Sequence, residues 1–383
     1  MKDPLVTIIL LTWNSRQDID ECLISMLRQD YSNYHILILD SCSTDGTPEY
    51  IRTKYPELEL VEMSQNMGYR KGNSYGMQLA KGKHVIVCND DVKVENNWMS
   101  EMVKTMEKDN SIGLATPMIL MENKPWLINT AGNTLHFSGM YGPRAKGENR
   151  QKQETPQTLA SVSGCCFMIR KDILIELGGF SADFDNLDVG WHASFEDVDL
   201  CWRAQMLGYR IEYIPSAIMY HSYKQPKMFP SRFASYEWGR YLLVIRNYSL
   251  TTLLLLLPLL VVLDIMAWIY AFSKGKAHIE SKALVMKWLI RHPYNLLKMR
   301  RRVQAQRKVS DYKIMSKVDC RINLYQTLGG GRGAYAIDCV FGFISFIYYH
   351  ILMVILKGQD IFIEYSKIIR ICVRDLVVNK IPV

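Results

Sequence analysis

The run VIVCNDDVKV, residues 85–94, carries four apolar residues fit for a buried strand straight into Asn89, Asp90 and Asp91, and then turns apolar again. Two neighbouring carboxylates repel each other and call for a cation, unless they merely solvate a turn. In an open α/β sheet the space beyond the carboxyl ends of the strands is where ligands bind. Whether residues 85–88 belong to such a sheet decides what the acids are for.

The flanking sequence answers by alternation. Residues 6–11 (VTIILL) form a continuous β-rich run suited to a strand covered on both faces. SRQD at 15–18 reads as a capping-box-like helix start at Ser15, with Ile19, Cys22, Leu23, Met26 and Leu27 following at helical spacing. HILILD is a second strand ending on Asp40, and STDGTPEY is a turn into a helix with Thr47 as its cap and Pro48 in its first position. LELVEM reads as a third strand, GNSYGMQLAKG as a glycine-bounded helix and HVIVCND as a fourth strand. Strands alternating with helices of this length predict an α/β fold with a mostly parallel sheet flanked by helices. Asn14, Asp40 and residues 89–91 then gather on one rim.

The totals permit this and add a second region. The 383 residues, 49% of them hydrophobic, suffice for a large α/β domain with an appendage. Of the formal charge of +8, a net +12 falls between Lys274 and Arg332, while residues 1–273 carry a net −5. A mildly acidic front and a strongly basic rear imply different partners. Nine cysteines without a CxxC pair or a zinc-type His/Cys spacing read as reduced thiols on the cytosolic side. The opening MKDPLVTIILLTWN has too short an apolar stretch for a signal peptide.

TIILLTWN, DSCSTDGT, QNMGYRKGNSYGMQLAKG, VCNDDV, SGCCFMIRKDILIELGGF, FEDVDLCWRAQMLGYRIEYIP and MYH occur here in that order. In order and approximate spacing the chain resembles family 2 glycosyltransferases of the GT-A fold, a Rossmann-like sheet, and within them the rhamnosyltransferase-like branch. The resemblance covers residues 5–225. It implies that Thr12 and Asn14 line a nucleotide pocket, that Asp40 recognises the base of a nucleoside-diphosphate sugar, and that Asn66 and Arg70 belong to the donor-side segment. Arg70 reads equally as a phosphate contact or a solvated arginine. Asn89 and Asp91 fall on the outer positions of the family's D-x-D element, with Asn in place of the first Asp and Asp90 in the variable middle. Asp91 and His221 are the implied ligands of Mn2+ or Mg2+. Asp197 matches the catalytic base, Glu196 is next in line, and Asp199 orients its neighbours.

The chemistry suits these types. An acceptor hydroxyl attacking C1 opposite the leaving diphosphate inverts the anomeric centre, needs one carboxylate as base, and gains from a divalent cation on the leaving group. SADFDNLDVGWHAS, residues 181–194, is longer than the common family spacing and is expected to border the acceptor site. Gly164 serves either close approach of a sugar to the backbone or a tight turn.

Residues 250–272 are long enough to cross a bilayer, which takes about 20 residues, and contain Pro258 and Asp264. Residues 335–356 are a second such run, containing Asp338 and His350. One crossing by each would place the basic loop opposite the catalytic domain, against the positive-inside tendency. The expected arrangement is therefore re-entrant or interfacial helices, or a hairpin that returns, with the basic segment on anionic cytosolic lipid. Two ordinary spans and a soluble helical domain are the alternatives. The predicted division is a catalytic domain at 1–235 and a membrane-associated helical region at 236–383.

The expected whole is an inverting, metal-dependent glycosyltransferase at the cytoplasmic face of the cell membrane, acting on a glycan or lipid-linked glycan acceptor. No QxxRW element follows EDVD, which favours single-sugar addition, and no nucleic-acid module accompanies the basic residues. A sugar nucleotidyltransferase would carry a glycine-rich basic loop where LLTWNSRQD stands. A non-catalytic membrane scaffold would have no need of Asp40, Asp91, Asp197 and His221 together.

Overall fold

The computed structural model describes residues 3–187, 195–222, 228–321 and 332–378. Four parallel strands, β1 (Val6–Thr12), β2 (Tyr34–Asp40), β3 (Glu59–Glu62) and β4 (His84–Cys88), pair in the order β4-β1-β2-β3. Helices α1 (Ile19–Leu27), α2 (Thr47–Lys54) and α3 (Gly68–Leu79) make the crossovers. β1 lies between β2 and β4, with Thr12 opposite Asp40 and Leu10 opposite Cys88. The strand order reverses there, which opens a crevice at the carboxyl ends of β1 and β4.

The chain continues through β5 (Val92–Val94), α4 (Trp98–Lys108), β6 (Ile112–Met121), β7 (Lys124–Thr130), β8 (Asn133–Leu135) and β9 (Tyr141–Pro143). Then come β10 (Gln157–Leu159), β11 (Cys166–Arg170), α5 (Lys171–Leu177), α6 (Glu196–Met206) and β12 (Arg210–His221). β11 runs antiparallel to both β4 and β6, and β12 runs parallel to β6, giving the expected mixed, mostly parallel sheet.

Alternation along the central strands builds two cores. Ile8, Leu10, Ile86 and Cys88 face a layer with Leu23 and Met102, while Ile9, Val85 and Val87 face the other with Met77 and Leu200. Each such side chain contributes about 1.5–3 kcal/mol on full burial, which is why residues 85–88 read as an unbroken apolar run.

Two helix starts differ from the sequence reading. α1 begins at Ile19 rather than at Ser15, because the Ser15 hydroxyl is taken by Asp90 and its carbonyl closes a turn onto the amides of Asp18 and Ile19. α2 is capped by Gly46 in the left-handed region at φ 84°, and Thr47 sits one position inside, where its hydroxyl accepts from the amide of Ser15 at 3.1 Å. Both threonine and serine are used to join the β1 loop to its neighbours instead of capping.

The rear is helical: α7 (Pro230–Asn247), α8 (Leu250–Lys274), α9 (Lys276–Arg291), α10 (Pro293–Ala305), α11 (Asp311–Met315) and α12 (Arg332–Val378). Between the two apolar runs the basic segment opens as two helices, α9 and α10, parted at Pro293, which disfavours helical backbone at His292. A third core joins Val198 and Trp202 of α6 to Trp238 and Leu242 of α7, Leu256 and Leu259 of α8, and Leu352 of α12.

Within α8, Asp264 turns inward to Lys282 at 2.6 Å and to the hydroxyl of Tyr241, and Lys282, fully buried, also bonds Glu237. The opposite face of α8 is bare. Leu254, Leu257, Val261, Ile265, Ile269 and Phe272 recur at helical spacing and are each 49–64% exposed. On α12, Phe343, Ile347, Ile351 and Val354 form a second exposed apolar stripe.

Part of the basic segment faces the protein rather than an outside partner. Arg300 donates to the carbonyls of Ile245 and Tyr248 at 2.6 Å, Arg302 pairs with Asp183, Arg307 with Asp311 at 2.7 Å and Lys308 with Glu176 at 3.0 Å. Lys274, Lys287, Arg291, Lys298 and Arg301 stay exposed. Eight of the nine cysteines lie among the described side chains, all as free thiols.

Candidate active site

The rim at the ends of β1 and β2 is a closed hydrogen-bond network. The buried carboxylate of Asp40 accepts from the hydroxyl of Thr12 at 3.0 Å and from the amide of Ser43 at 2.8 Å. Asn14, left-handed at φ 53°, accepts from the amide of Thr44 at 2.8 Å and donates its own amide to Ser43 Oγ at 2.8 Å. Asn66 accepts from Ser41 Oγ at 3.1 Å and from the amide of Gly68 at 2.8 Å, which fixes the entry to α3. Thr12, Asn14, Asp40 and Asn66 thus come together as expected.

The two acids after β4 part company. Asp90 turns back to the β1 loop, where the hydroxyl of Ser15 donates to it; burial raises its pKa to about 6, opposed by that bond and assisted by the nearby charge of Asp91. Asp91 turns the other way. β5 pairs antiparallel with the end of β12, setting Val92 opposite His221, and this register places His221 Nε2 3.3 Å from Asp91 Oδ1.

That oxygen is buried, and apart from His221 nothing in the protein bonds it. A carboxylate oxygen and an imidazole nitrogen at this separation suit two adjacent positions around a small hard cation, whose ligands stand about 2.1 Å from it and about 3 Å apart. Among the described residues no group of three or more His, Cys, Asp or Glu side chains is placed to hold a metal ion by itself. The pair therefore fits a cation completed by water and substrate phosphate, not one caged by protein.

A cleft of about 340 Å³ opens beside them. Asn89 and His221 line one side of it, and Glu196 and Asp197, in the first turn of α6, line another. Asp197 Oδ1 accepts from the amide of Val198 at 2.9 Å and Oδ2 from the side chain of Asn133 at 3.0 Å. Burial lifts its pKa to about 6 against these bonds, and lifts that of Glu196 to about 8, where the adjacent charge of Asp197 adds to burial. Near neutral pH the geometry therefore holds one ionised and one protonated carboxyl side by side.

Gly164 is where the backbone comes closest: a methyl there would lie 3.2 Å from Asp197 Oδ2 and 3.3 Å from Tyr69 Oη, whose hydroxyl donates to the Gly164 carbonyl at 2.5 Å. A side chain at 164 would crowd Asp197, and no left-handed backbone is involved. Arg70 is neither solvated nor free for a phosphate: it is buried, paired with Asp185 in the helical turn Ala182–Asn186, and near enough to Glu196 of the cleft for their charges to act on each other. Of the long segment at 181–194, residues 188–194 lie outside the described residues. Asn133 of β8, Lys146 after β9 and Arg232 of α7 also line the cleft and carry no signal in sequence; Tyr69, in the first turn of α3 within the QNMGYRKG stretch, lines it too. Asp199, buried below the cleft, bonds Arg203 and Arg246, both at 2.8 Å, and these two guanidinium groups outweigh burial to keep its pKa low.

Comparison with known proteins bears on the family and the fold. Residues 7–178 match the family model described as glycosyl transferase family 2. The poly-beta-1,6-N-acetyl-D-glucosamine synthase of Staphylococcus aureus (strain COL) is 21% identical over 217 residues, 56% of this chain and 48% of that protein. An uncharacterized glycosyltransferase of Haemophilus influenzae is 28% identical over 112 residues, 28% of this chain and 35% of that protein. The chain thus spans about half the length of the synthase it matches. Among solved structures, GalNAc-T7 with UDP, GalNAc and Mn2+ superposes with a TM-score of 0.52 at 16% identity, over 63% of this chain and 48% of that one. Over residues 7–178 the chain matches glycosyl transferase family 2, and its sheet with flanking helices is the GT-A fold.

Proposed function

We propose that the chain is an inverting, metal-dependent glycosyltransferase that moves one sugar from a nucleoside-diphosphate donor to a glycan acceptor, in the rhamnosyltransferase-like branch of its family. The observation that carries this reading is Asp197, a buried carboxylate with a pKa of about 6 that lines the same cleft as His221. The nucleoside lies along Thr12, Asn14, Asp40 and Asn66. Asp91 and His221 would hold Mn2+ or Mg2+, which when bound would neutralise charge on the leaving diphosphate. The acceptor hydroxyl gives its proton to Asp197 as its oxygen bonds C1; the C1–O bond to the diphosphate breaks, and the nucleoside diphosphate departs with that electron pair. Glu196, protonated, donates a hydrogen bond to a sugar oxygen in the cleft. The fold family supports transfer chemistry over the nucleotidyltransferase and scaffold alternatives. A panel of nucleotide sugars incubated with purified protein, with and without EDTA, tests the proposal: transfer or donor hydrolysis lost on chelation supports it, and no turnover of any donor defeats it.

The two carboxyls give this reading a pH signature. Activity needs Asp197 ionised, so kcat/KM is expected to rise as pH increases through about 6. It needs Glu196 protonated, so it is expected to fall above about 8. A profile flat from pH 5 to 9 would contradict both assignments.

For the rear we propose attachment at a cytosolic membrane face, with α8 and the described part of α12 lying in the interface. Both helices are long and apolar enough to cross a bilayer. Each also has one face packed on the protein, and the midpoint of α8 is tied by Asp264 to Lys282 and Tyr241, which suits a helix immersed on one side only. An acceptor on a polyprenyl-type lipid would meet the cleft from that surface. Binding to vesicles containing anionic lipid is expected to weaken with salt yet persist, because the apolar stripes remain. Protease cleavage of the 274–332 segment only from the extracytosolic side of sealed vesicles would contradict the arrangement.

A further inference from the structure

The helix that presents Asp197 starts from a backbone its own sequence disfavours. Phe195 lies in the left-handed region at φ 78° and ψ −2°, and it is fully buried. A bulky residue stays there only when its surroundings hold it. Tyr141 of β9 meets its ring edge-on with centroids 4.7 Å apart, and Tyr236 of α7 does so at 5.2 Å. Those two tyrosines are joined in turn, since the Tyr236 hydroxyl bonds both the amide and the carbonyl of Tyr141 at 3.0 Å. The space the ring occupies exists because residue 239 of α7 is glycine: a methyl there would lie 2.1 Å from Phe195 Cδ2 and 2.6 Å from Cγ.

The same helix grips α6 again four residues on. The Phe195 carbonyl accepts from the amide of Asp199 at 2.8 Å, and Arg246 of α7 bonds Asp199 at 2.8 Å. Residues 195 and 199 bracket Asp197, so α7 fixes the turn that carries the carboxylate on both sides.

Resting on the transfer reaction proposed above, we infer that Phe195 and Gly239 are positioning residues: the ring seated against the glycine sets the first turn of α6 and so the aim of the Asp197 carboxylate. Neither needs to touch substrate. The bonds from Asn133 and Val198 that hold Asp197 persist only while that turn keeps its direction. Since α7 continues into α8 and packs on α9, the helix that seats Phe195 is also the one that joins the catalytic half to the apolar arm.

The test compares the full-length chain with G239A, F195A, F195L and F195A/G239A. In G239A the methyl displaces the ring, and kcat is expected to fall about 10- to 100-fold with KM for the nucleotide sugar nearly unchanged. The rise of kcat with pH near 6 is expected to move, because Asp197 loses its bonds. Removing the ring makes room for the methyl, so F195A/G239A is expected to be no slower than F195A; losses that simply multiply would overturn the inference. Hydrogen exchange over residues 195–206 reads the same seat without any reaction: it is expected to quicken in G239A while 6–12 and 84–88 stay protected. G239A with wild-type kcat, pH profile and exchange would also overturn it. Should G239A unfold, exchange rises in β1 and β4 too, and F195L decides by the same pH and exchange readouts, a wild-type result again overturning the inference. If the wild-type chain turns over no donor, the transfer reading fails, and the exchange comparison still decides whether Gly239 seats Phe195.

Discussion

Asp197→Asn is expected to lower kcat for glycosyl transfer by about 10²–10⁴-fold, the contribution of a positioned general base, while leaving binding of a nucleoside diphosphate intact. The amide nearly matches the carboxylate in shape, and it keeps an oxygen to accept from the amide of Val198. What it cannot do is take the proton of the acceptor hydroxyl. The loss should therefore appear in kcat at saturating donor, and the rise of rate through pH 6 should vanish with it. Calorimetry with the nucleoside diphosphate checks binding, and a pH series of initial rates checks the base. A variant with full transfer activity would remove Asp197 from the mechanism. Glu196→Gln is the informative control: a neutral donor replaces a protonated acid, so the fall above pH 8 should go while the rise near 6 remains.

The second large effect belongs to the cation. Asp91→Asn or His221→Ala would take one of the two proposed protein ligands from a site that has little else, and charge stabilisation on a leaving diphosphate is worth several kcal/mol. At tenfold per about 1.4 kcal/mol, the expected loss is about 10²-fold or more at ordinary metal concentration, partly recovered by excess Mn2+. Manganese binding, followed by its paramagnetic resonance in the presence of a nucleoside diphosphate, should weaken in parallel. Asp90→Asn makes the contrast. Its carboxylate accepts from Ser15 and not from the His221 side, so metal binding should hardly change while stability falls modestly.

These outcomes show where sequence was sufficient. The apolar run at 85–88 and the polar triplet after it placed a strand end at the switch point, because strands buried on both faces show as continuous hydrophobic runs and their ends as abrupt polarity. Asn14 and Asp40 were legible as rim residues for the same reason, since each follows or closes a strand of one local βαβ series; Thr12 and Asn66 came only with the family resemblance. Which of two adjacent acids turns toward His221 has no local trace; the family resemblance pointed to Asp91, and the pairing of β5 with a strand that ends 130 residues later, Val92 opposite His221, is what turns it there.

Other features rest on contacts with no local trace. Asn133 reaches Asp197 across 64 residues, and Arg70 meets Asp185 across 115. Ser15 and Thr47 have the right chemistry for caps, yet tertiary partners claim both hydroxyls. In the rear, net charge suggested a lipid-facing segment, but Arg300, Arg302 and Arg307 spend their donors on carbonyls and acids of the protein. Charge counts do not distinguish a guanidinium turned inward from one in solvent.

Anomalous scattering from crystals grown with Mn2+ and a nucleoside diphosphate tests the central claim most directly. The account requires a manganese peak on Asp91 and His221, with the diphosphate beside it and the nucleoside along Asp40. A manganese and diphosphate bound elsewhere, leaving the oxygen of Asp91 bare, would contradict it.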